Sequence, residues 1–453
     1  MEKYDLIILG GGPAGYTAAD RASEGGMSVA LFEGRSLGGT CLNEGCIPTK
    51  TMLYSAKLYE GALKSEPYGV KCGVATLDHG AVLKRKDKVV KILTAGVASK
   101  MKSRGVVVMS RRARVTGKTG DGYAVTDGVR EYVGTRLLIA TGSEAVIPPI
   151  PGTREGLESG HVITSKEALS AREIPPLLVV VGGGVIGLEL ACYFHAAGSR
   201  VTVVEMLDKI AGPAEADVSK ILLGNLKKRG IEFRLGRHVT GIEPGKSVIT
   251  EEEVIGADKV LLAIGRKPSF DGAGIENIGV RTAGGAIPTD ERMRTNAPDV
   301  YAAGDVTGRV MLAHAAYREA EVAVNDMLDI PDAMRYDAIP SVIYTNPEVA
   351  CVGETEESAS AKGLSVKVVT LSMRYSGRYM AENEGGDGIC KVVASSDDGR
   401  LLGVHMINNH AAEIIASAAM MIDLGRPASE LRRLIFPHPT AGEIIREALF
   451  ALE

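Results

Sequence analysis

Asp5-Leu6-Ile7-Ile8-Leu9 opens the chain with a nearly unbroken apolar run, which predicts a strand buried on both faces. Gly10-Gly11-Gly12-Pro13-Ala14-Gly15 follows, and apolar positions through Ala18 and Ala19 then predict a helix. Val29 to Phe32 predicts a second strand, which ends at Glu33. The same succession recurs later. Leu177 to Val181 is followed by Gly182-Gly183-Gly184-Val185-Ile186-Gly187, a helix, and the strand Val201 to Val204, which ends at Glu205. Glycine and acid stand 23 positions apart both times, Gly10 to Glu33 and Gly182 to Glu205.

Strand, glycine turn, helix, strand, acid is the pattern of a dinucleotide-binding unit. The first glycine permits the tight turn, the second lets a diphosphate approach, and the third lets helix and strand pack closely. The diphosphate sits where free N–H groups and the helix dipole favour an anion. The acid accepts hydrogen bonds from ribose hydroxyls. Two such units at one offset predict two bound dinucleotides.

Between the units, Leu83 to Met101 predicts a long surface helix, and Arg114 to Val133 predicts a hairpin-rich insertion. Leu137-Leu138-Ile139-Ala140-Thr141-Gly142-Ser143 and Val260-Leu261-Leu262-Ala263-Ile264-Gly265 read as two buried strands ending in glycine. Pro148-Pro149-Ile150-Pro151-Gly152 reads as a linker. Val300 to Asp305 predicts another strand reaching glycine and an acid. Beyond Ile339, strands such as Val366 to Thr370 and Cys390 to Val393 alternate with apolar helices, Ala411 to Leu424 among them.

Composition narrows the possibilities. A chain of 453 residues is too long for one core. Its 55 glycines show no fibre-like period, which fits many turns and cofactor loops. A formal net charge of −4 with no long basic run argues against nucleic-acid binding. The first apolar run is too short for a membrane span, and no cleavage-site pattern follows it. A soluble, cytoplasmic protein is expected. No Cys/His cluster has zinc spacing, so no metal is expected.

The six cysteines do not form a secreted framework. Cys72, Cys192, Cys351 and Cys390 are scattered and read as unpaired thiols. Cys41 and Cys46 differ, standing five apart in Gly38-Gly39-Thr40-Cys41-Leu42-Asn43-Glu44-Gly45-Cys46-Ile47-Pro48-Thr49-Lys50. On an ideal helix that spacing gives roughly 8–9 Å between Cα atoms, beyond the roughly 4.4–6.8 Å of a disulfide. A bridge would need a distorted turn, which Gly45 allows, and would restrict the unfolded chain little. It would therefore be reactive more than stabilising. Two buried free thiols are the alternative from spacing alone.

The thirteen-residue segment resembles the redox-active disulfide of the flavin-dependent disulfide reductases, most closely the dihydrolipoamide dehydrogenase family. The resemblance extends along essentially the whole chain. It implies an α/β fold with two Rossmann-like domains, one for FAD and one for NAD, and a C-terminal α+β dimerisation domain. The boundaries expected are 1–148 completed by 269–337 for FAD, 149–268 for NAD, and 338–453 for the interface. It implies that Cys41 forms the mixed disulfide and that Cys46 faces the flavin. Lys50 is expected to approach the flavin and pair with Glu189. Asp305 is placed on the ribityl chain, and Ala313 and His314 open a helix beneath the ring. Further FAD contacts are implied for Gly10, Gly12, Gly15, Glu33, Gly39, Thr40, Ala113, Thr141, Gly142 and Ser143. NAD contacts are implied for Gly182, Gly184, Val185, Ile186, Gly187, Glu189, Glu205, Val239 and Gly265.

Phe436-Pro437-His438-Pro439-Thr440-Ala441-Gly442-Glu443 holds the expected base. A thiol attacks a disulfide as thiolate, so a group must take its proton. The resemblance assigns that role to His438, oriented by Glu443 and acting on the other subunit of a homodimer. Many members carry a second histidine where this chain has Phe436. The activity implied is oxidation of dihydrolipoamide on a lipoyl protein of a 2-oxoacid dehydrogenase or glycine cleavage system, with reduction of NAD. Reduction of another small disulfide, or docking of an acyltransferase as a structural subunit, are the other readings. Glu205, followed by Asp208 and no arginine before Lys209, predicts preference for NAD over NADP.

Overall fold

The structure is a computed structural model, and it describes residues 1–452. The chain folds as two compact units. The first comprises Met1–Thr51, Ala81–Val146 and Gly265–Arg335; the second comprises Met52–Gly80, Ile147–Ile264 and Tyr336–Glu453.

The first unit is built on the apolar run at the N-terminus. Leu6, Ile7, Ile8 and Leu9 are buried in the strand Glu2–Leu9. Each such side chain gains roughly 1.5–3 kcal/mol over an exposed one. This strand lies between Val29–Phe32 and Glu131–Ile139, both parallel to it. The long strand Glu131–Ile139 serves two purposes. Its first half pairs antiparallel with the hairpin strand Gly122–Thr126, and its second half pairs parallel with Val300–Ala302. The predicted insertion is thus an antiparallel extension of a parallel sheet, completed by Arg114–Thr119. The surface helix is longer than its apolar pattern suggests, His79–Ser103.

The second unit holds a five-stranded parallel sheet, ordered Glu232–Leu235, Arg200–Glu205, Leu177–Val181, Lys259–Leu262, Val162–Thr164. The strand Leu177–Val181 is followed by the helix Val185–Ala196, as Glu2–Leu9 is followed by Pro13–Glu24. A three-stranded antiparallel sheet, Val239–Glu243, Ser247–Thr250 and Val254–Gly256, is attached. The C-terminal part is a separate five-stranded antiparallel sheet, ordered Ser341–Ile343, Glu348–Gly353, Leu401–Asn408, Ile389–Ser395, Val366–Ser372. The helices Ala411–Leu424 and Glu443–Phe450 cover it and close an apolar core around Val392, Met406, Ile415 and Ile445.

The two glycine-ending strands end earlier than expected. Glu131–Ile139 stops before Thr141, and Lys259–Leu262 stops before Gly265. Beyond them Ser143–Ala145 and Arg266–Pro268 pair antiparallel within the first unit. Among the described residues no helix is long and apolar enough to cross a membrane.

Candidate active site

The two glycine turns have the same construction. In the first, Gly10 N donates to Phe32 O at 2.8 Å; in the second, Gly182 N donates to Val204 O at 2.8 Å. A Cβ on Gly15 would lie 1.8 Å from Gly10 O, and one on Gly187 would lie 2.1 Å from Gly182 O. Both helices are capped by glycine, Gly12 or Gly184, with no side-chain bond to the first N–H groups. Those N–H groups are free for an anion.

Each acid holds its own turn. Glu33 accepts from Gly11 N at 2.8 Å and Arg35 N at 2.7 Å. Glu205 accepts from Gly183 N at 2.6 Å and Leu207 N at 2.9 Å. A carboxylate has about four acceptor sites, so capacity for a ribose remains on both. The acids are therefore prepositioned by backbone amides, a role the sequence did not reveal.

The cysteine segment breaks where expected. The helix Gly39–Glu44 ends at Gly45, whose φ is −145° and ψ −106°, and a new helix begins at Cys46. Thr49 Oγ1 donates back to Gly45 O at 2.5 Å, which fastens the break. Cys41 and Cys46 are half-buried, unbridged by a disulfide, and hydrogen-bonded to one another. That bond, followed by burial, pushes the Cys41 thiol well up, while the Lys50 charge pulls it down. A Cβ on Gly39 would meet Gly12 Cα at 2.6 Å, so the cysteine loop lies directly against the first glycine turn.

Several expected flavin contacts fit a bound dinucleotide. Thr141 Oγ1 is buried without a partner, a polar atom that a ligand could satisfy. Ser143 Oγ donates to Asp305. Arg266, which the sequence did not single out, donates to Ser143 Oγ at 2.8 Å and Ser143 O at 2.7 Å, and reaches Thr40 Oγ1 at 3.5 Å. Burial lowers its pKa, and Asp305 opposes that. The glycine before it, Gly265, falls in the first unit, where its O accepts from Val146 N at 3.0 Å. Ala113 is half-buried ahead of the hairpin, and His314 is exposed at the second position of Ala313–Met327. A second unforeseen feature is the hydroxyl pair Tyr16–Tyr317, 2.7 Å apart. Burial raises both phenols.

The second unit holds the histidine pair. His438 Nδ1 lies 2.9 Å from Glu443 Oε1, and Thr440 N donates to Glu443 Oε2 at 2.8 Å. The amide of Thr440, then the hydrogen bond to His438, holds Glu443 below the usual carboxylate range. Glu443 opens the helix Glu443–Phe450, where the dipole also favours its charge. A carboxylate only accepts, so the facing Nδ1 carries the hydrogen and Nε2 keeps its lone pair. The side chain of His438 is 78% exposed. Phe436 packs against the C-terminal core. Buried Glu189 accepts from Tyr344 N at 2.9 Å. Val239 opens the strand Val239–Glu243.

Two dinucleotide folds, a paired-cysteine turn and a histidine–glutamate pair define a nucleotide-dependent disulfide reductase. The chain belongs to the pyridine nucleotide-disulphide oxidoreductase family, whose model matches residues 4–320; the family's dimerisation domain matches 339–449. It is 36% identical to the dihydrolipoyl dehydrogenase of Bacillus subtilis, over 100% of this chain and 98% of that protein. It is 36% identical to the mitochondrial dihydrolipoyl dehydrogenase of Dictyostelium discoideum, over 99% and 94%. Among solved structures, the HOCl-induced flavoprotein disulfide reductase RclA of Escherichia coli superposes with TM-score 0.87 at 28% identity, over 99% of this chain and 100% of that one. LpdA of Mycobacterium tuberculosis superposes with TM-score 0.91 at 24% identity, over 100% of both chains, a likeness of fold alone.

Proposed function

We propose that the protein is a dihydrolipoyl dehydrogenase that oxidises protein-bound dihydrolipoamide to lipoamide and reduces NAD⁺. The observation that carries this reading is the Cys41–Cys46 pair on a broken helix turn, in a chain that also holds a carboxylate-oriented histidine. The bridge between Cys41 and Cys46 is the oxidant of the substrate dithiol. One substrate sulfur, losing its proton to His438 Nε2, attacks Cys41 Sγ. The S–S bond breaks, and Cys46 leaves as thiolate. The second substrate sulfur then attacks the mixed disulfide, closes the lipoamide ring and releases Cys41. Cys41 takes up a proton there, and its bond to Cys46 keeps it protonated. Bound FAD supplies the route by which the electron pair of the dithiol reaches NAD⁺ as hydride.

The Gly10–Gly15 turn, Glu33, Thr141, Ser143 and Asp305 hold the FAD. The Gly182–Gly187 turn and Glu205 hold the NAD. The domain boundaries proposed are 1–148 with 269–337, 149–268, and 338–453. The dimerisation domain makes a homodimer in which the base of one subunit serves the cysteine pair of the other. Its exposed apolar side chains, Met420, Leu424, Leu434 and Ile435, support that. The lipoyl-bearing partner belongs to a 2-oxoacid dehydrogenase or glycine cleavage system, and the cytoplasm is the compartment that suits reduced, unpaired cysteines.

Anaerobic turnover with dihydrolipoamide and NAD⁺, set against glutathione disulfide and other small disulfides with NADH or NADPH, tests the reading. Dihydrolipoamide is expected to give the highest kcat/KM. A higher value with glutathione disulfide and NADPH would move the protein to the other branch of the family.

A further inference from the structure

The sequence offers no arginine beside Glu205, but the fold brings one there. The strand Glu232–Leu235 runs parallel to Arg200–Glu205 and ends beside it, with Glu205 opposite Leu235. Past both ends the two loops are tied together. Arg237 N donates to Glu205 O at 3.0 Å, and Gly236 N donates to Leu207 O at 3.0 Å. Arg237 therefore leaves the chain at the carboxyl edge of the sheet, next to the acid that faces a ribose. Nucleotides bind in that crevice.

Its guanidinium is held. Arg237 Nη2 lies 2.7 Å from Glu252, and the neighbouring Arg234 lies 2.7 Å from Glu253. Both acids stand at the tip of the hairpin Ser247–Thr250 and Val254–Gly256. The tip is fixed by its own bonds: Glu252 N at 3.3 Å and Glu253 N at 3.0 Å donate to Thr250 Oγ1, and Thr250 N donates to Glu253 O at 2.9 Å. Lys209, the next cation in sequence, bonds Ala214 O at 3.3 Å and lies 3.7 Å from Glu357.

We propose that Glu252 is a specificity-determining residue: by capturing Arg237, it withholds a guanidinium beside Glu205 from a 2′-phosphate. This rests on the reading of the second glycine turn as the NAD site. Selection against the wrong nucleotide then has two parts. Glu205 repels the 2′-phosphate, and Glu252 removes the arginine that would attract it. Arginine is the side chain suited to phosphate because its planar fork binds two oxygens at once.

Binding of 5′-ADP and of 2′,5′-ADP, measured by calorimetry on the flavin-loaded protein, tests the proposal without catalysis. The wild type is expected to bind 5′-ADP the more tightly. Glu252→Gln should leave 5′-ADP affinity unchanged and tighten 2′,5′-ADP by about two- to fivefold, the scale of an exposed ion pair. In Glu205→Ala/Glu252→Gln the gain for 2′,5′-ADP should reach about tenfold or more, the scale of a charge-assisted bond. Adding Arg237→Ala should remove that gain and spare 5′-ADP. Equal 2′,5′-ADP affinity with and without Arg237 in the double variant would overturn the proposal. Failure of the wild type to bind 5′-ADP at all would instead overturn the assignment of the turn.

Discussion

The two glycine turns are near copies, yet they do different work. Each has a buried strand, a tight turn, a glycine-capped helix and an acid tied to the turn by two amides. What differs is the surroundings. The first turn lies against the cysteine loop at Gly39, in the unit that also holds the bonded group of Ser143, Asp305 and Arg266. The second is flanked by charged side chains at the sheet edge, where Glu205, Arg237 and Glu252 meet. In the function proposed above, one unit keeps its cofactor beside a reactive pair and the other selects and releases a nucleotide. A shared backbone solution for the diphosphate leaves the neighbours to decide the role.

The difference can be broken at the sulfurs first. Cys41→Ser or Cys46→Ser should lower dihydrolipoamide oxidation by on the order of 10⁴-fold or more, the scale of a lost nucleophile. Binding of 5′-ADP at the second turn should not change. His438→Gln should lower the same oxidation by about 10²–10⁴-fold, the range of lost general-base catalysis. Reduction of a one-electron dye by NADH needs no such base and should stay close to wild type.

Next, the turns themselves can be closed one at a time. Gly187→Val places side-chain atoms where the Gly182 carbonyl stands, so NAD affinity should fall by about tenfold or more while the protein stays yellow. Gly15→Val should do the opposite and give a protein depleted of FAD. A parallel loss of both cofactors from Gly187→Val would deny that the turns act separately. The smallest effect expected is at Glu205→Ala. The wild type should prefer NAD over NADP by roughly a hundredfold in kcat/KM, from like charge and a lost hydrogen bond at a partly buried phosphate. The variant should relax that ratio.

Much of this was legible in the chain because its signals are local. The strands Val29–Phe32 and Leu177–Val181 and the helix Ala411–Leu424 follow their hydrophobic patterns residue for residue. The break at Gly45 and the His438–Glu443 pair depend on neighbours a few positions apart. What escaped depends on distant chain segments. Arg266 meets Ser143 across 123 positions, and Tyr317 meets Tyr16 across 301. Arg237 reaches Glu205 only because a parallel strand returns it there. The amide ties on Glu33 and Glu205 were invisible for another reason: their donors are backbone groups, which side-chain spacing does not encode.

Differential alkylation read by mass spectrometry tests most directly whether Cys41 and Cys46 are the working pair. In the oxidised protein both should resist iodoacetamide. After one equivalent of dihydrolipoamide under anaerobic conditions both should become labelled. Cys192, Cys351 and Cys390, pushed up to about 12 by burial, should stay unlabelled throughout. Labelling of Cys41 and Cys46 that does not change with dihydrolipoamide would contradict the account.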